Sequence, residues 1–329
     1  MGLALSTKQT KEDEKPLTLS KLALQYADED EARKYFESLR WPNGVTCPHC
    51  QSKEHYALKP STEPRQRGKR PARKGLYKCK DCHKQFSVTV GTIFSDSKVP
   101  LSKWCMAFFL LCSSKKAISA HQLHRTIGVT YKTAWFMSHR IRHAFSPILG
   151  EEKLKGQVEV DEGFIGGVQP INPANGKRFR KPAVVALVER GGGMRVKVVE
   201  RLSCHTIGDF MRENIAKGST LNTDGNPNYK TIYLPQIKHD SVNHSGGELQ
   251  RERADGSKVH VNSCESFFSL LKRGVTGAFH HISKEHLHRY CDEFAFRWNT
   301  RKLTDGERFL IAIQQSIGKR LKYKNTIAA

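Results

Sequence analysis

Apolar positions along this chain change their spacing twice, and those changes divide it. Residues 1–17 are polar, lysine-rich and without period, and are expected to be disordered. Helical spacing first shows from Asp28 to Leu39 and stops at the turn Trp41-Pro42-Asn43-Gly44. A cysteine-bearing segment from Cys47 to Phe94 follows, and helical spacing then holds from Leu101 to Phe145. At Gly156 the pattern switches to strands, at Gln157–Asp161, Pro182–Glu189 and Met194–Arg201. A helix over Thr206–Lys217 leads into a strand over Thr220–Thr223; a polar loop follows, and helical spacing resumes from Asn262 to Leu321. The pattern predicts a multidomain α/β chain. Its parts are a tail (1–17), a short helix with a cysteine-rich module (18–96), a helical region (97–150), a mixed sheet flanked by helices (151–305), and a last helix and tail (306–329).

Charge narrows the partner. The net charge is +23, and each basic side chain laid on a phosphate releases condensed counterions, so a polyanion such as double-stranded DNA is favoured. A ribosomal or membrane-surface protein would share that excess. The longest apolar run, Trp104–Cys112, falls short of the roughly 20 residues of a membrane helix. No signal peptide pattern opens the chain. Met1-Gly2 with Ser6 fits the loose myristoylation pattern, but one acyl chain anchors weakly and no second membrane signal follows. No membrane association and a cytoplasmic location are expected. Four of nine cysteines form two Cys-x-x-Cys pairs, and Cys105, Cys112, Cys204, Cys264 and Cys291 lie singly. That layout suits a reducing compartment with a metal site better than a disulfide framework.

Cys47-Pro-His-Cys50 and Cys79-Lys-Asp-Cys82 each put two thiolates on a tight knuckle. Two knuckles together make the tetrahedral four-sulfur shell that zinc prefers, with no position left open for catalysis. Unrelated buried cysteines or a redox motif are the alternatives. The 28 residues between the pairs exceed the usual spacing, and Arg65, Arg67, Lys69, Arg70, Arg73 and Lys74 make the insert a basic loop, either solvated or laid on phosphate. Further on, Ser119-Ala-His-Gln122 opens a helix with a capping box, and Gly128-Val129 turns the chain. Thr130 then caps a helix bearing Tyr131, Lys132 and Thr133 on its first turn, where a recognition helix meets base edges. Arg140 and Arg142 are expected to reach phosphates. A plain helical hairpin is the alternative to a DNA-binding helix-turn-helix; the charge and the neighbouring knuckles favour the latter.

Acidic residues supply the candidate chemistry. In Val158-Glu159-Val160-Asp161 the two carboxylates share one strand face, a costly placement unless they bind something. Asp224 stands at the tip of a later strand, where a turn-forming Asp is also common. Glu265 opens a helix on which Lys272, two turns on, shares its face. Each is ordinary alone. Together they could hold two divalent ions about 4 Å apart, as two-metal phosphoryl transfer requires, with Lys272 on a DNA phosphate. The element order also matches an RNase H-like core, though several α/β folds begin the same way. A later helix with the stripe Leu287, Tyr290, Cys291, Phe294 and Trp298 is expected to carry Asp292, Glu293 and Arg297 on a solvated edge.

With these residues in place the chain resembles the zinc-ribbon DDE transposases of bacterial insertion sequences, the ISXO-like, Merlin-related kind. The likeness runs from Trp41 to Arg301. It rests on Cys47-Pro-His-Cys50, on Tyr77-Lys-Cys79-Lys-Asp-Cys82 with Phe86-Ser-Val-Thr-Val-Gly-Thr92, and on Val158-Glu-Val-Asp161-Glu-Gly-Phe-Ile-Gly-Gly167. It continues in Thr223-Asp224-Gly225, Asn262-Ser-Cys-Glu265-Ser-Phe-Phe-Ser-Leu-Leu-Lys272-Arg273-Gly274 and Asp292-Glu-Phe-Ala-Phe-Arg297-Trp-Asn299, the last two blocks being the most specific.

The resemblance implies a zinc ribbon and helix-turn-helix ahead of an RNase H-like catalytic domain. It implies Asp161, Asp224 and Glu265 as the triad for Mg2+ (or Mn2+), with Lys272 and Arg273 on DNA. It further implies terminal inverted repeats and target DNA as partners, and strand cleavage followed by strand transfer. Some relatives carry Asn as third ligand, which makes Asn262, one turn before Glu265, a candidate assisting ligand; an anionic carboxylate holds a hard cation better than an amide does. Two ends must be synapsed, so a homodimer or higher oligomer at the nucleoid is expected. The other readings are a DNA-binding regulator with an inactive nuclease-like domain, and another RNase H-like nuclease. The intact acidic set argues against the first, and two DNA-reading modules argue against the second.

Overall fold

A computed structural model describes residues 17–60, 74–147, 152–167, 171, 174, 176, 181–243 and 246–327. Its front begins with α1 (Leu19–Gln25) and α2 (Glu29–Arg40). Asp28 caps α2 by accepting from the amides of Asp30 and Glu31, and three acidic residues fill the first turn, where the helix dipole favours them. An antiparallel ribbon follows, in the order β1 (His55–Ala57), β2 (Tyr77–Cys79), β3 (Gln85–Phe86). The long helical stretch expected after it is three helices, α3 (Leu101–Ser113), α4 (Ala120–Ile127) and α5 (Tyr131–Ala144). Ser119 and Thr130 cap α4 and α5 through the amides of Gln122 and Thr133. Gly128 ends α4 at φ +63°, a conformation open to glycine at little cost.

The second half is built on one five-stranded sheet. In chain order come β4 (Gln157–Phe164), β5 (Ala183–Glu189), β6 (Met194–Val199), α6 (Cys204–Asn214), β7 (Thr220–Asp224), α7 (Pro227–Lys230) and β8 (Lys238–Val242). A small hairpin, β9 (Arg251–Glu252) and β10 (Lys258–Val259), leads into α8 (Asn262–Gly274), α9 (Leu287–Asn299), α10 (Asp305–Gln315) and α11 (Lys324–Ile327). The sheet order is β6-β5-β4-β7-β8; β5 is antiparallel to both its neighbours, whereas β7 runs parallel to β4 and β8 to β7. β8 lies in what the hydrophobic pattern predicts as polar loop. It is an edge strand, and Lys238-His-Asp-Ser-Val242 carries mostly polar side chains.

Apolar layers cover both sheet faces, so β5 reads as an unbroken buried run from Ala183 to Val188. Val158, Val160, Leu187 and Leu221 pack with Ile207 and Met211 of α6 on one face. Val184, Ala186 and Val188 pack with Phe267, Phe268 and Leu271 of α8 and Phe294 of α9 on the other. The front helices share a separate core around Trp104, Phe108, Met137 and Ile141. That core also takes Phe309, Ala312 and Ile313, so α10, opened by the Thr304–Glu307 capping box, packs on the front helices.

Candidate metal sites and nucleic-acid interface

Both cysteine knuckles fold alike. The Cys47 amide donates to the Ser52 carbonyl (2.8 Å) and the Cys79 amide to that of Lys84 (3.1 Å). Gln51 and His83, each directly after a second cysteine, take φ of 65° and 56°. The four sulfurs therefore lie within 4.8 Å of one another, with Cys47–Cys82 at 3.7 Å and Cys50–Cys79 at 3.5 Å. The Cys82 amide, and beyond it that of Asp81, pulls Cys79 down to about 7. Against the Ser52 amide, desolvation and the three neighbouring sulfurs push Cys50 up to about 12; a zinc ligand must be a thiolate. This four-cysteine cluster suits structural zinc. Of the basic loop, Arg65, Arg67, Lys69, Arg70 and Arg73 lie outside the described residues, and Lys74 pairs with Asp30 of α2.

The acidic residues lie on the α8 face of the sheet. Val160 of β4 stands opposite Thr223 of β7 in parallel register, so Asp161, midway along β4, and Asp224, the last residue of β7, come next. Alternation of side chains puts both on the face of Glu159 and Asn222, the one α8 covers. α8 sits close because Gly163 has no side chain: a β-carbon there would lie 2.7 Å from the Phe268 ring. The Cys264 thiol meets the Ala186 carbonyl at 3.7 Å, and Ala186 is the β5 partner of Asp161. Glu265 is the next residue along. Burial pushes Asp161 up to about 7, helped by the negative charges of Glu162, Asp224 and Glu265. These carboxylates do not close as the sulfurs do; among the described residues only the cysteines bring three or more ligand atoms within 4.8 Å.

Lys272 and Arg273 are exposed two turns down α8, and Asn262 is exposed at its start. Glu162 was not singled out by the sequence pattern. It accepts hydrogen bonds from the Tyr229 hydroxyl and the Asn226 side chain, and the Asn226 amide donates to Asp224 (3.1 Å). Glu162 thus ties β4 to the turn carrying Asp224.

On α5, Tyr131 and Lys132 are exposed, Tyr131 stacked on His121 at 4.2 Å and Lys132 over the Tyr323 ring at 5.1 Å. The Thr133 hydroxyl is bonded to that of Thr130. The two arginines further along are not at the surface, against expectation. Arg142 is buried, its Nε donating to Glu293 at 2.6 Å and its guanidinium lying over Tyr290. Arg140 is buried over the Phe136 ring. α5 is packed between the front helices and α9, so its second half has little solvent-facing side. Glu293, expected on a solvated edge, is fully buried; against that burial, Arg297 and Arg142 hold its carboxyl below the usual range.

Fold and cysteine cluster define a zinc-ribbon protein with a mixed α/β unit behind the ribbon. A transposase zinc-ribbon domain model matches residues 27–85, and an ISXO2-like transposase domain model matches residues 153–299. These two parts of the chain are thus similar to the zinc-ribbon and ISXO2-like domains of transposases. The chain is also 28% identical over 288 residues to a Halobacterium salinarum protein described as "Uncharacterized protein in transposable element ISH50", a match spanning 83% of this chain and 91% of that protein. No helix among the described residues is long and apolar enough to cross a membrane.

Proposed function

We propose that this chain is a transposase that binds the terminal inverted repeats of its own insertion sequence and catalyses DNA strand cleavage and strand transfer with two divalent metal ions. One observation carries the reading: Asp161, Asp224 and Glu265 come from three separate elements to one sheet face, close enough for the last two to raise the first. Asp161 is half-buried, and an ionised carboxylate there beside two like charges is expensive unless a cation balances it. Hard carboxylate oxygens suit Mg2+ or Mn2+, and a set wider than a single-ion shell fits a pair of ions. Asp161, Asp224 and Glu265 would hold them, and bound there the ions would activate the attacking oxygen and stabilise the leaving one. Asn262 stands at the site's edge as an assisting ligand.

The sheet order supports an RNase H-like fold for residues 151–305: three antiparallel strands, then two parallel to the first. Lys272 and Arg273, exposed on α8, hold DNA phosphates near the carboxylates. The front, 18–96 with 97–150, reads the element ends, with α4 and α5 as the helix-turn-helix and Tyr131, Lys132 and Thr133 at base edges. Two ends meet in a dimer or larger synaptic complex at the nucleoid. The test is joining of labelled element-end DNA by Asp161→Asn and Glu265→Gln. Joining should fall to background while mobility shifts on the same DNA persist; full joining by either variant would refute the assignment.

A further inference from the structure

Two rows of polar side chains cross this sheet face, one pleat apart, and they differ in their partners. The outer row brings Asp161 and Asp224 together. Two residues earlier, Glu159 of β4, Asn222 of β7 and Asp240 of β8 stand side by side in register. Arginines meet this inner row. Arg190 Nε donates to Glu159 at 2.7 Å, and His260 Nδ1 lies 3.2 Å from the same oxygen. Arg253 donates to Asp240 at 2.6 Å and to Asn222 Oδ1 at 2.5 Å. Glu159 and Asn222 have no exposed surface at all. A carboxylate so placed is strongly destabilising without its partners, so the inner row is held by its cations.

The partners of Glu159 converge on the entry to α8. Arg190, at the turn after β5, also donates to the carbonyls of Lys258 and His260, the segment just before the helix. The second oxygen of Glu159 accepts the amide of Ser263 at 2.7 Å. The N-cap residue of α8, Val261, makes no side-chain bond, and from the same segment the His260 ring accepts only the Asn262 amide, at a long 3.4 Å. Helix starts are ordinarily capped by Ser, Thr, Asp or Asn from the same segment. Here a carboxylate from a strand 104 residues away does it. A cap borrowed from β4 fixes the first turn of α8 to the strand that carries Asp161, and Glu265 lies two residues beyond Ser263.

We propose that Glu159, held by Arg190, is a positioning residue that sets Glu265 against Asp161 and Asp224. The inference rests on reading those three as the ion-binding set. Glu159→Leu keeps the volume but leaves the Ser263 amide without its acceptor, whereas Glu159→Gln keeps an acceptor. In full-length protein, Glu159→Leu should weaken Mn2+ binding measured by calorimetry without DNA, and slow joining, each by about 10–100-fold. Amide hydrogen exchange should rise at residues 262–266 and not in β5. Glu159→Gln should recover most of both losses. If Glu159→Leu does not fold, as judged by cooperative melting and end-DNA mobility shifts, Arg190→Lys, which keeps a cation beside Glu159 but loses the guanidinium fork that also holds the Lys258 and His260 carbonyls, carries the same expectations. Wild-type Mn2+ affinity and exchange in these variants, with Glu265→Gln inactive, overturn the positioning role alone. Full joining by Glu265→Gln overturns the ion-site reading and this inference with it.

Discussion

The ribbon and the sheet face both gather side chains of kinds that can ligate metals, yet of the two only the ribbon closes them into one shell. Its sulfurs come from two knuckles that repeat the same local hydrogen bonds and left-handed residue. The carboxylates come from β4, β7 and α8, and Asp161 and Glu265 are 104 residues apart in the chain. Long-range packing therefore positions the second set: register between parallel strands, a glycine under Phe268, a borrowed helix cap. The energetic roles differ too. A closed thiolate shell around zinc contributes folding free energy, whereas Asp161, half-buried and beside like charges, costs it when ionised.

The largest effect that follows lies on the ribbon. Its own apolar core is small, with Phe86 buried among Trp41, Tyr77 and Val90, and structural zinc in small fingers supplies on the order of 10–16 kcal/mol. Cys79→Ser, or chelation followed by dialysis, should unfold this module while the five-stranded sheet melts as before. Limited proteolysis across residues 41–90 reads the first outcome and calorimetry the second. A zinc-free ribbon as resistant as the native one would break the contrast between the two sets.

Asp292 of α9 sharpens the other side, because it bears the cost of a covered carboxylate without belonging to the proposed ion set. Burial pushes it up to about 7, against the opposing pull of Lys319 and Arg289. A raised folded-state value means the proton is held more tightly by the folded chain. The resulting stability is full below the unfolded value of about 3.9 and is lost as pH rises through about 7. Asp292→Asn should flatten that slope and stabilise the protein at pH 8 by on the order of 2–4 kcal/mol, with joining retained. Thermal melting from pH 4 to 8 measures it; a slope unchanged from wild type would mean the ionised side chain is satisfied.

How legible each part was follows from how local its causes are. The knuckles, the caps at Ser119 and Thr130, and the buried strand Ala183–Glu189 depend on neighbours in the chain, and their residues announce them. Alternation in β4 likewise gave the shared face of Glu159 and Asp161. β8 was not legible because an edge strand needs no apolar pattern. Arg142 was misread for a different reason: its partner Glu293 is 151 residues on, and no spacing rule links a basic helix face to an acid on another helix. Glu159 itself was read only as a neighbour of Asp161, since its arginine and the amide it caps are assembled by the fold.

The smallest effect belongs to a residue that is neither a metal ligand nor buried. Lys132 is exposed on the first turn of α5 with its ammonium over the Tyr323 ring, an arrangement worth about 0.5–1 kcal/mol at an exposed site. Lys132→Ala should therefore leave melting nearly unchanged. End-DNA affinity is where it should register, by roughly 1–3 kcal/mol if the side chain meets a base edge. Mobility shifts on element-end and unrelated DNA at several salt concentrations separate two modes of contact. Loss confined to the ends assigns Lys132 to base readout. A uniform loss, with the salt dependence reduced by about one phosphate's worth, assigns it to the backbone. An affinity and footprint equal to wild type on both DNAs would remove this turn from the proposed interface, leaving the ribbon as the front's remaining candidate for DNA contact and sharpening the proposed division between a folding metal site and a reacting one.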